Sequence, residues 1–214
     1  MRKQAQLLQV ITDTEVDRIR DASLAILEEI GVQIPNAQIL RRFADAGAAV
    51  DFEQQVVQIP ASLVEKALAV LPKDFSVTPA DGGPPIHLGD GDLKLSMDCS
   101  DQIVELSQDR KRRGTQEDVL RGIMVANALE NVRLASGYVL PCDVPPSIGD
   151  VVGYQLLFTY ARKAVATWIY STRSADYILE MAQAVAGGRE ALKRRKLLTY
   201  FAEPVSPLRY APHT

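Results

Sequence analysis

Three stretches of this chain set aromatic rings beside single carboxylates and hydroxyls. They are Tyr138-Val-Leu-Pro141-Cys142-Asp143, Trp168-Ile-Tyr170-Ser171 and Tyr200-Phe-Ala-Glu203-Pro-Val-Ser206. The face of a ring attracts a cation, and a nearby carboxylate adds charge, so these residue types suit the capture of a quaternary ammonium group. Tyr138, Trp168 and Tyr200 are candidate cage rings, and Asp143, Ser171, Glu203 and Ser206 are candidate polar groups around them. Aromatic residues make up 6% of the chain, so their recurrence in these stretches is a local enrichment. Strands also favour rings for packing alone, which leaves each ring a second use. Alternation along a strand further requires that some of these side chains point away from a shared interior.

Other chemistries find less support. A Cys–His nucleophile pair needs Cys99 or Cys142 beside His87, and no spacing suggests it. Two cysteines and two histidines without clustered spacing argue against a structural zinc site, and no metal ligand is assigned. Gly89-Asp90-Gly91 lacks the third glycine and the following helix of a nucleotide fingerprint, and reads as a turn. Asp109-Arg-Lys-Arg-Arg-Gly114 reads as a solvated, charged turn. The balance of 24 Lys+Arg against 27 Asp+Glu gives a net charge of -3 and no basic footprint for nucleic acid. There is no apolar run of ~18 residues for a membrane helix and no signal-peptide core. Sparse cysteine suits a reducing compartment, so a cytoplasmic location is expected.

The elements that must position the candidate groups follow from periodicity and caps. Thr12 or Thr14 opens a helix whose apolar positions include Val16, Ile19, Ile26, Leu27 and Ile30, and Gly31 stops it. Asn36 caps a second helix with Ile39, Leu40 and Phe43 on one face. A short strand at Val56–Ile59 ends at Pro60, and a third helix with Leu63, Val64, Ala67, Leu68 and Leu71 ends at Pro72. Residues 73–106 are punctuated by Gly, Pro and Asp, which predicts hairpins and turns. Thr115 with Asp118 forms a variant capping box for a helix through Ala128. Strand Val132–Leu140, helix Asp150–Arg162, strand Ala164–Tyr170, a helix capped by Ser174 and a last strand Leu197–Ala202 complete the pattern.

Strand and helix in alternation predict parallel βαβ units. The expected fold class is α/β: a partial (β/α)₈ barrel, its first half, preceded by a helical and β-hairpin extension. The boundary is placed near residue 90, giving 1–90 for the extension and 91–214 for the barrel units. With 214 residues the chain is shorter than the ~250 typical of a closed barrel. An open half is expected to leave strand edges unpaired and inward side chains without an opposing layer. The sequence stops just after a strand, so the expectation is a truncated chain or one completed by another polypeptide.

Several segments resemble the amino-terminal half of the trimethylamine methyltransferase family. They are Ile26-Leu-Glu-Glu-Ile-Gly-Val-Gln-Ile-Pro35, Phe43-Ala-Asp-Ala-Gly-Ala-Ala-Val-Asp51, Val57-Gln-Ile-Pro60 with Val64-Glu-Lys-Ala-Leu68, Leu140-Pro-Cys-Asp-Val-Pro-Pro146, Met181-Ala-Gln-Ala-Val-Ala-Gly-Gly188 and Val205-Ser-Pro-Leu-Arg-Tyr210. The resemblance implies a (β/α)₈ barrel and transfer of a methyl group from a methylated amine to the cobalt of a separate corrinoid (cobalamin) protein, within one-carbon metabolism or methanogenesis. It implies no cofactor bound directly by this chain. Some members of the family use pyrrolysine on a tertiary amine, in a region beyond this sequence; relatives without it act on quaternary amines such as glycine betaine. The family's chains run about twice this length. Three readings stay open: an amine methyltransferase present as its amino-terminal half, a catalytically inactive fragment that pairs with the missing half or with itself through open edges, and an amine-binding module without transfer. The seven candidate residues rest on their strand-end positions, and no catalytic residue is assigned.

Overall fold

The computed structural model describes residues 10–100, 102–200 and 203–211. They divide into two units, one of residues 10–73 with 203–211 and one of residues 74–200. The division thus falls between Lys73 and Asp74 rather than near residue 90.

The first unit opens with α1 (Asp13–Ala25), capped by Thr12. The Thr12 amide donates to Glu15 Oε2 at 2.7 Å, and the Glu15 amide donates to Thr12 Oγ1 at 3.3 Å, a reciprocal capping box. The helix widens into a π-turn over Ile26–Ile30 and stops at Gly31, as its position predicts. Then follow β1 (Val32–Gln33), α2 (Ala37–Asp45), β2 (Ala49–Asp51), β3 (Val56–Gln58) and α3 (Ala61–Val70). The Asn36 side-chain oxygen accepts from the amides of Gln38 and Ile39 at 3.0 and 3.1 Å, the expected cap of α2. The strands form an antiparallel sheet in the order β1-β3-β2, where one strand was expected. Val32, Ile34, Leu40, Ala48 and Val57 are its core, with Tyr210 packed against it. Residues 203–211 return to this unit: the Gln33 amide donates to the Leu208 carbonyl at 2.9 Å and the Tyr210 amide to the Gln33 carbonyl at 2.8 Å.

The second unit begins with an antiparallel hairpin of β4 (Phe75–Val77) and β5 (Ile86–Leu88), as the Gly- and Pro-rich spacing predicts. Next come β6 (Leu95–Ser96), β7 (Gln102–Glu105), β8 (Arg110–Arg113), α4 (Gln116–Ala128) and β9 (Val132–Ala135). The chain continues through α5 (Gly149–Tyr160), β10 (Ala164–Thr167), α6 (Thr172–Ala186), α7 (Arg189–Arg194) and β11 (Leu198–Tyr200). Strands β6, β9, β10 and β11 lie side by side in chain order in one parallel sheet. The described residues form a mixed α/β unit with an open parallel sheet, and no closed barrel.

Helices cover one face of that sheet. Val119, Ile123 and Ala126 of α4, Tyr154 and Leu157 of α5, and Ile178 of α6 bury Val132, Ala135 and Val165. Leu134, Ala164 and Ala166 face the other way and pack with Val77 and Ile86 of the β4–β5 hairpin, with Leu88 alongside. So the inward side chains do have an opposing layer, which corrects the expectation of a bare inner face. This packing is also why residues 74–90 join the second unit.

Three further differences have local causes. Leu93–Leu95 was expected in a hairpin, yet Leu95–Ser96 joins the parallel sheet beside β9. The charged segment is not a solvated turn, because Arg110–Arg113 pairs with Gln102–Glu105 as a hairpin. Ser171 rather than Ser174 caps α6; its hydroxyl oxygen accepts from the Ser174 amide at 3.1 Å.

Candidate functional site

Parallel strands in chain order bring their carboxyl-terminal ends together, where the βα loops of such folds carry their functional groups. The register then sorts the candidate rings. Val165 pairs with Leu198 and Thr167 with Tyr200, so all four share the helix-covered face. Tyr200 is therefore directed toward the helices and is 45% exposed. Trp168 is the residue after β10; with Val165 before it and Ile169 after it packed in the helix-side core, alternation extended from Ala164 and Ala166 assigns it to the face that the hairpin partly covers. Tyr138 follows Gly137 with both residues at positive φ, and its ring edge lies against Gly122 of α4, where a Cβ would come within 2.5 Å of it. The three rings are thus not gathered into one cage; Trp168 alone of them takes the hairpin-side face.

The polar candidates are placed as follows. Asp143 Oδ1 accepts from the Gln116 amide at 2.9 Å, which ties the loop after β9 to the first turn of α4. Ser171 is occupied as the cap of α6, and its hydroxyl donates to Ser174 Oγ at 3.0 Å. Glu203 and Ser206 belong to the first unit, with residues 203–211.

Two carboxylates at the sheet's functional end were missed. Ser96, the last residue of β6, pairs with Leu134, and Asp98 follows two residues on, at the carboxyl-terminal end of the sheet. Asp98 Oδ1 accepts from the Cys99 amide at 2.8 Å, and the Ser136 hydroxyl donates to the Asp98 carbonyl at 2.7 Å. A correct assignment of β6 would have exposed Asp98, but a strand of two residues carries no visible alternation. Asp150 is the other, 1% exposed at the start of α5. Its Oδ2 accepts from the Tyr170 amide at 2.8 Å, and its Oδ1 from the Val151 amide at 2.9 Å and the Ser174 hydroxyl at 3.1 Å. The sequence signal for it was an acid in a first helical turn, which dipole complementarity alone would explain.

Cys99 is buried close by, and Cys142 is exposed; neither is in a disulfide. Burial pushes the Cys99 thiol up to about 11, with the Thr167 hydroxyl opposing it, so the group is a protonated thiol at neutral pH and a poor nucleophile. Titration of the native protein with a thiol reagent is therefore expected to show fast reaction at Cys142 only, and reaction at Cys99 after denaturation in guanidinium. Fast native reaction at both would contradict the burial of Cys99.

A separate apolar cavity of about 460 Å³ lies within the first unit, lined by Leu27, Val32, Ile39, Phe43, Ile59 and Tyr210 among others. It contains no ionised side chain, so it offers no charge to a cation.

Comparison with known proteins adds to this geometry. The sequence profile of a family described as trimethylamine methyltransferase (MTTB) matches residues 1–214. A trimethylamine methyltransferase MttB of Desulfitobacterium hafniense is 30% identical over 205 residues, which are 94% of this chain and 41% of that protein. A glycine betaine methyltransferase from another strain of the same species is 22% identical over 205 residues, 94% of this chain and 42% of that protein. A trimethylamine methyltransferase MttB of Methanosarcina thermophila is 35% identical over 68 residues, 32% of this chain and 14% of that protein. This chain therefore spans about two-fifths of the length of the first two relatives.

Proposed function

Because the chain belongs to the trimethylamine methyltransferase family, we propose that it forms part of an enzyme that moves a methyl group from a methylated amine to a corrinoid protein. The observation that carries this reading is the family match along all of residues 1–214. The relatives' names support trimethylamine or a quaternary amine such as glycine betaine as the methyl donor. The cytoplasm is the compartment that free thiols at Cys99 and Cys142 suit. No helix among the described residues is long and apolar enough to cross a membrane.

In this reading the parallel sheet is the opening part of a (β/α)₈ barrel. Four strands in chain order, with helices on one face, support it. The hairpin side is then the barrel interior, and the β4–β5 hairpin fills its amino-terminal end around Ala164 and Ala166. The carboxyl-terminal end is left for substrate. There the Trp168 ring face and the Asp98 carboxylate attract a methylated ammonium.

The chemistry is a displacement at carbon. The N–CH₃ bond breaks, its electron pair stays on nitrogen, and the methyl passes to a cobalt nucleophile that the partner protein supplies. For a quaternary donor no proton need move. The work of this chain is to hold the cation with one methyl directed outward and to exclude water, which is catalysis by positioning. Neither a nucleophilic thiol nor a histidine base is required, consistent with the raised Cys99 thiol.

The test is binding followed by transfer. Calorimetry with glycine betaine and trimethylamine is expected to show binding that Trp168→Ala weakens by about tenfold, the loss of one desolvated cation–π contact. Asp98→Asn is expected to weaken it by a similar factor. Methyl transfer to a purified corrinoid protein then separates enzyme from binding module. Affinities unchanged by both substitutions would remove the proposed site. Binding without transfer, by the chain alone and with a supplied carboxyl-terminal half, would favour the amine-binding module.

A further inference from the structure

Asp150 is a buried carboxylate at the carboxyl-terminal end of the sheet whose oxygens accept three hydrogen bonds, and the proposed chemistry makes no direct use of it. It lies at the start of α5 beneath the loop from Trp168 to Ser171. Its Oδ2 takes the Tyr170 amide, while its Oδ1 takes the Ser174 hydroxyl, and Ser174 Oγ in turn accepts from the Ser171 hydroxyl. The loop is thereby held at Tyr170 through its backbone and at Ser171 through its side chain. Both anchor points lie within three residues of Trp168. Ser174 is 3% exposed, so water does not readily replace these bonds.

We infer that Asp150 is the positioning residue for Trp168, fixing the β10–α6 loop so that the ring stays on the hairpin-side face of the sheet. A carboxylate suits this role because it only accepts, and all three of its partners donate. Asparagine keeps one acceptor oxygen but sets an NH₂ against a donor. Alanine removes the anchor at Tyr170 and the acceptor that orients the Ser174 hydroxyl, and leaves Ser171 held by its contacts with Ser174. A ring on a loose loop costs a ligand the ordering that the native loop supplies in advance. Placing the ring against a methylated ammonium rests on the function proposed above; the effect on Trp168 itself does not.

Trp168 is the one tryptophan of the 214-residue chain, so its fluorescence reports this loop alone. The experiment compares Asp150→Ala, Asp150→Asn and the unchanged chain by emission maximum, acrylamide quenching and the affinity for tetramethylammonium chloride. Thermal melting by circular dichroism serves as the folding control. The expected result is a red-shifted emission and quenching raised about threefold in Asp150→Ala, intermediate values in Asp150→Asn, and affinity weakened about tenfold in Asp150→Ala, all in protein that remains folded. Unchanged emission and quenching in folded Asp150→Ala would overturn the inference. If Asp150→Ala does not fold, Ser174→Ala removes one anchor and is expected to raise quenching by a smaller factor, and no rise there would also overturn it. An unchanged chain that fails to bind tetramethylammonium while Asp150→Ala still shifts the emission would reject the amine site and leave the positioning role standing.

Discussion

Alanine at position 31 is expected to destabilise the first unit by roughly 3–5 kcal/mol, through two costs that add. Gly31 has φ 81° and ψ -173°, a region that residues with a Cβ rarely enter. A Cβ built there would also lie 2.5 Å from the Val57 carbonyl oxygen and 2.9 Å from its carbon. Val57 belongs to the central strand β3 and is fully buried, so the collision is with backbone that cannot move without breaking the sheet. Gly47→Ala provides the control: φ is 94°, but nothing lies within 4 Å of a Cβ there, so only the conformational cost of about 1 kcal/mol is expected. Urea denaturation of the two variants measures the contrast. Equal losses at the two positions would show that the carbonyl contact has no weight.

That Gly31 matters was legible from its place after a 3.6-residue stripe. The same was true of Thr12, Asn36, Thr115 with Asp118, and the parallel βαβ order. The stop and cap signals are local, each arising within four or five residues of backbone that must satisfy its own hydrogen bonds, and the strand–helix order is read from successive local periodicities. What escaped was non-local. Strands β1 and β6 each have two residues, too few to display alternation, and exist because partners distant in sequence pair with them. The return of residues 203–211 to Gln33 is likewise a pairing that no local pattern announces. The charged run Arg110–Arg113 was read by composition, whereas its strand follows from pairing with Gln102–Glu105.

The candidate site was legible at the level of which end of which strands to consider. It was not legible at the level of side-chain direction. Tyr200 ends β11 paired with Thr167, and Trp168 is the next residue after β10, so alternation assigns the two rings to opposite faces. Tyr138 loses the strand's alternation at two consecutive positive-φ residues. Asp143 and Ser171 were read as polar groups at strand ends, but β9 stops at Ala135, and helix starts have first claim on such groups: Asp143 serves α4 and Ser171 serves α6. The two carboxylates missed at the carboxyl-terminal end of the sheet, Asp98 and Asp150, depended on β6 and on the burial of a helix start, neither visible in the sequence alone.

The start of α4 carries the second large prediction. Asp118, itself buried, takes both terminal nitrogens of Arg112, at 2.6 and 2.8 Å, together with the Thr115 amide at 2.9 Å and hydroxyl at 2.8 Å. Arg112 reaches back to Glu105, which also holds Arg110, so one carboxylate joins the β7–β8 hairpin to the helix it precedes. Asp118→Ala is expected to cost about 3 kcal/mol at pH 7, from a lost cap and lost charge-assisted hydrogen bonds. The Arg112 guanidinium holds the Asp118 carboxyl well below the ordinary carboxylate range, Thr115 adds to this, and burial opposes it without winning. A lowered folded-state value means stability that is fully present above the unfolded-state value of 3.8 and is lost as the pH falls toward the folded-state value. The gap between the unchanged chain and Asp118→Ala should therefore be constant from pH 7 to about pH 5, then narrow by about 1.4 kcal/mol per pH unit below 3.8. Urea denaturation at pH 7, 5, 3.5 and 2.5 measures it. A gap that stays constant down to pH 2.5 would mean that Asp118 contributes through shape rather than charge, and that the hairpin needs no ion pair to stay on α4.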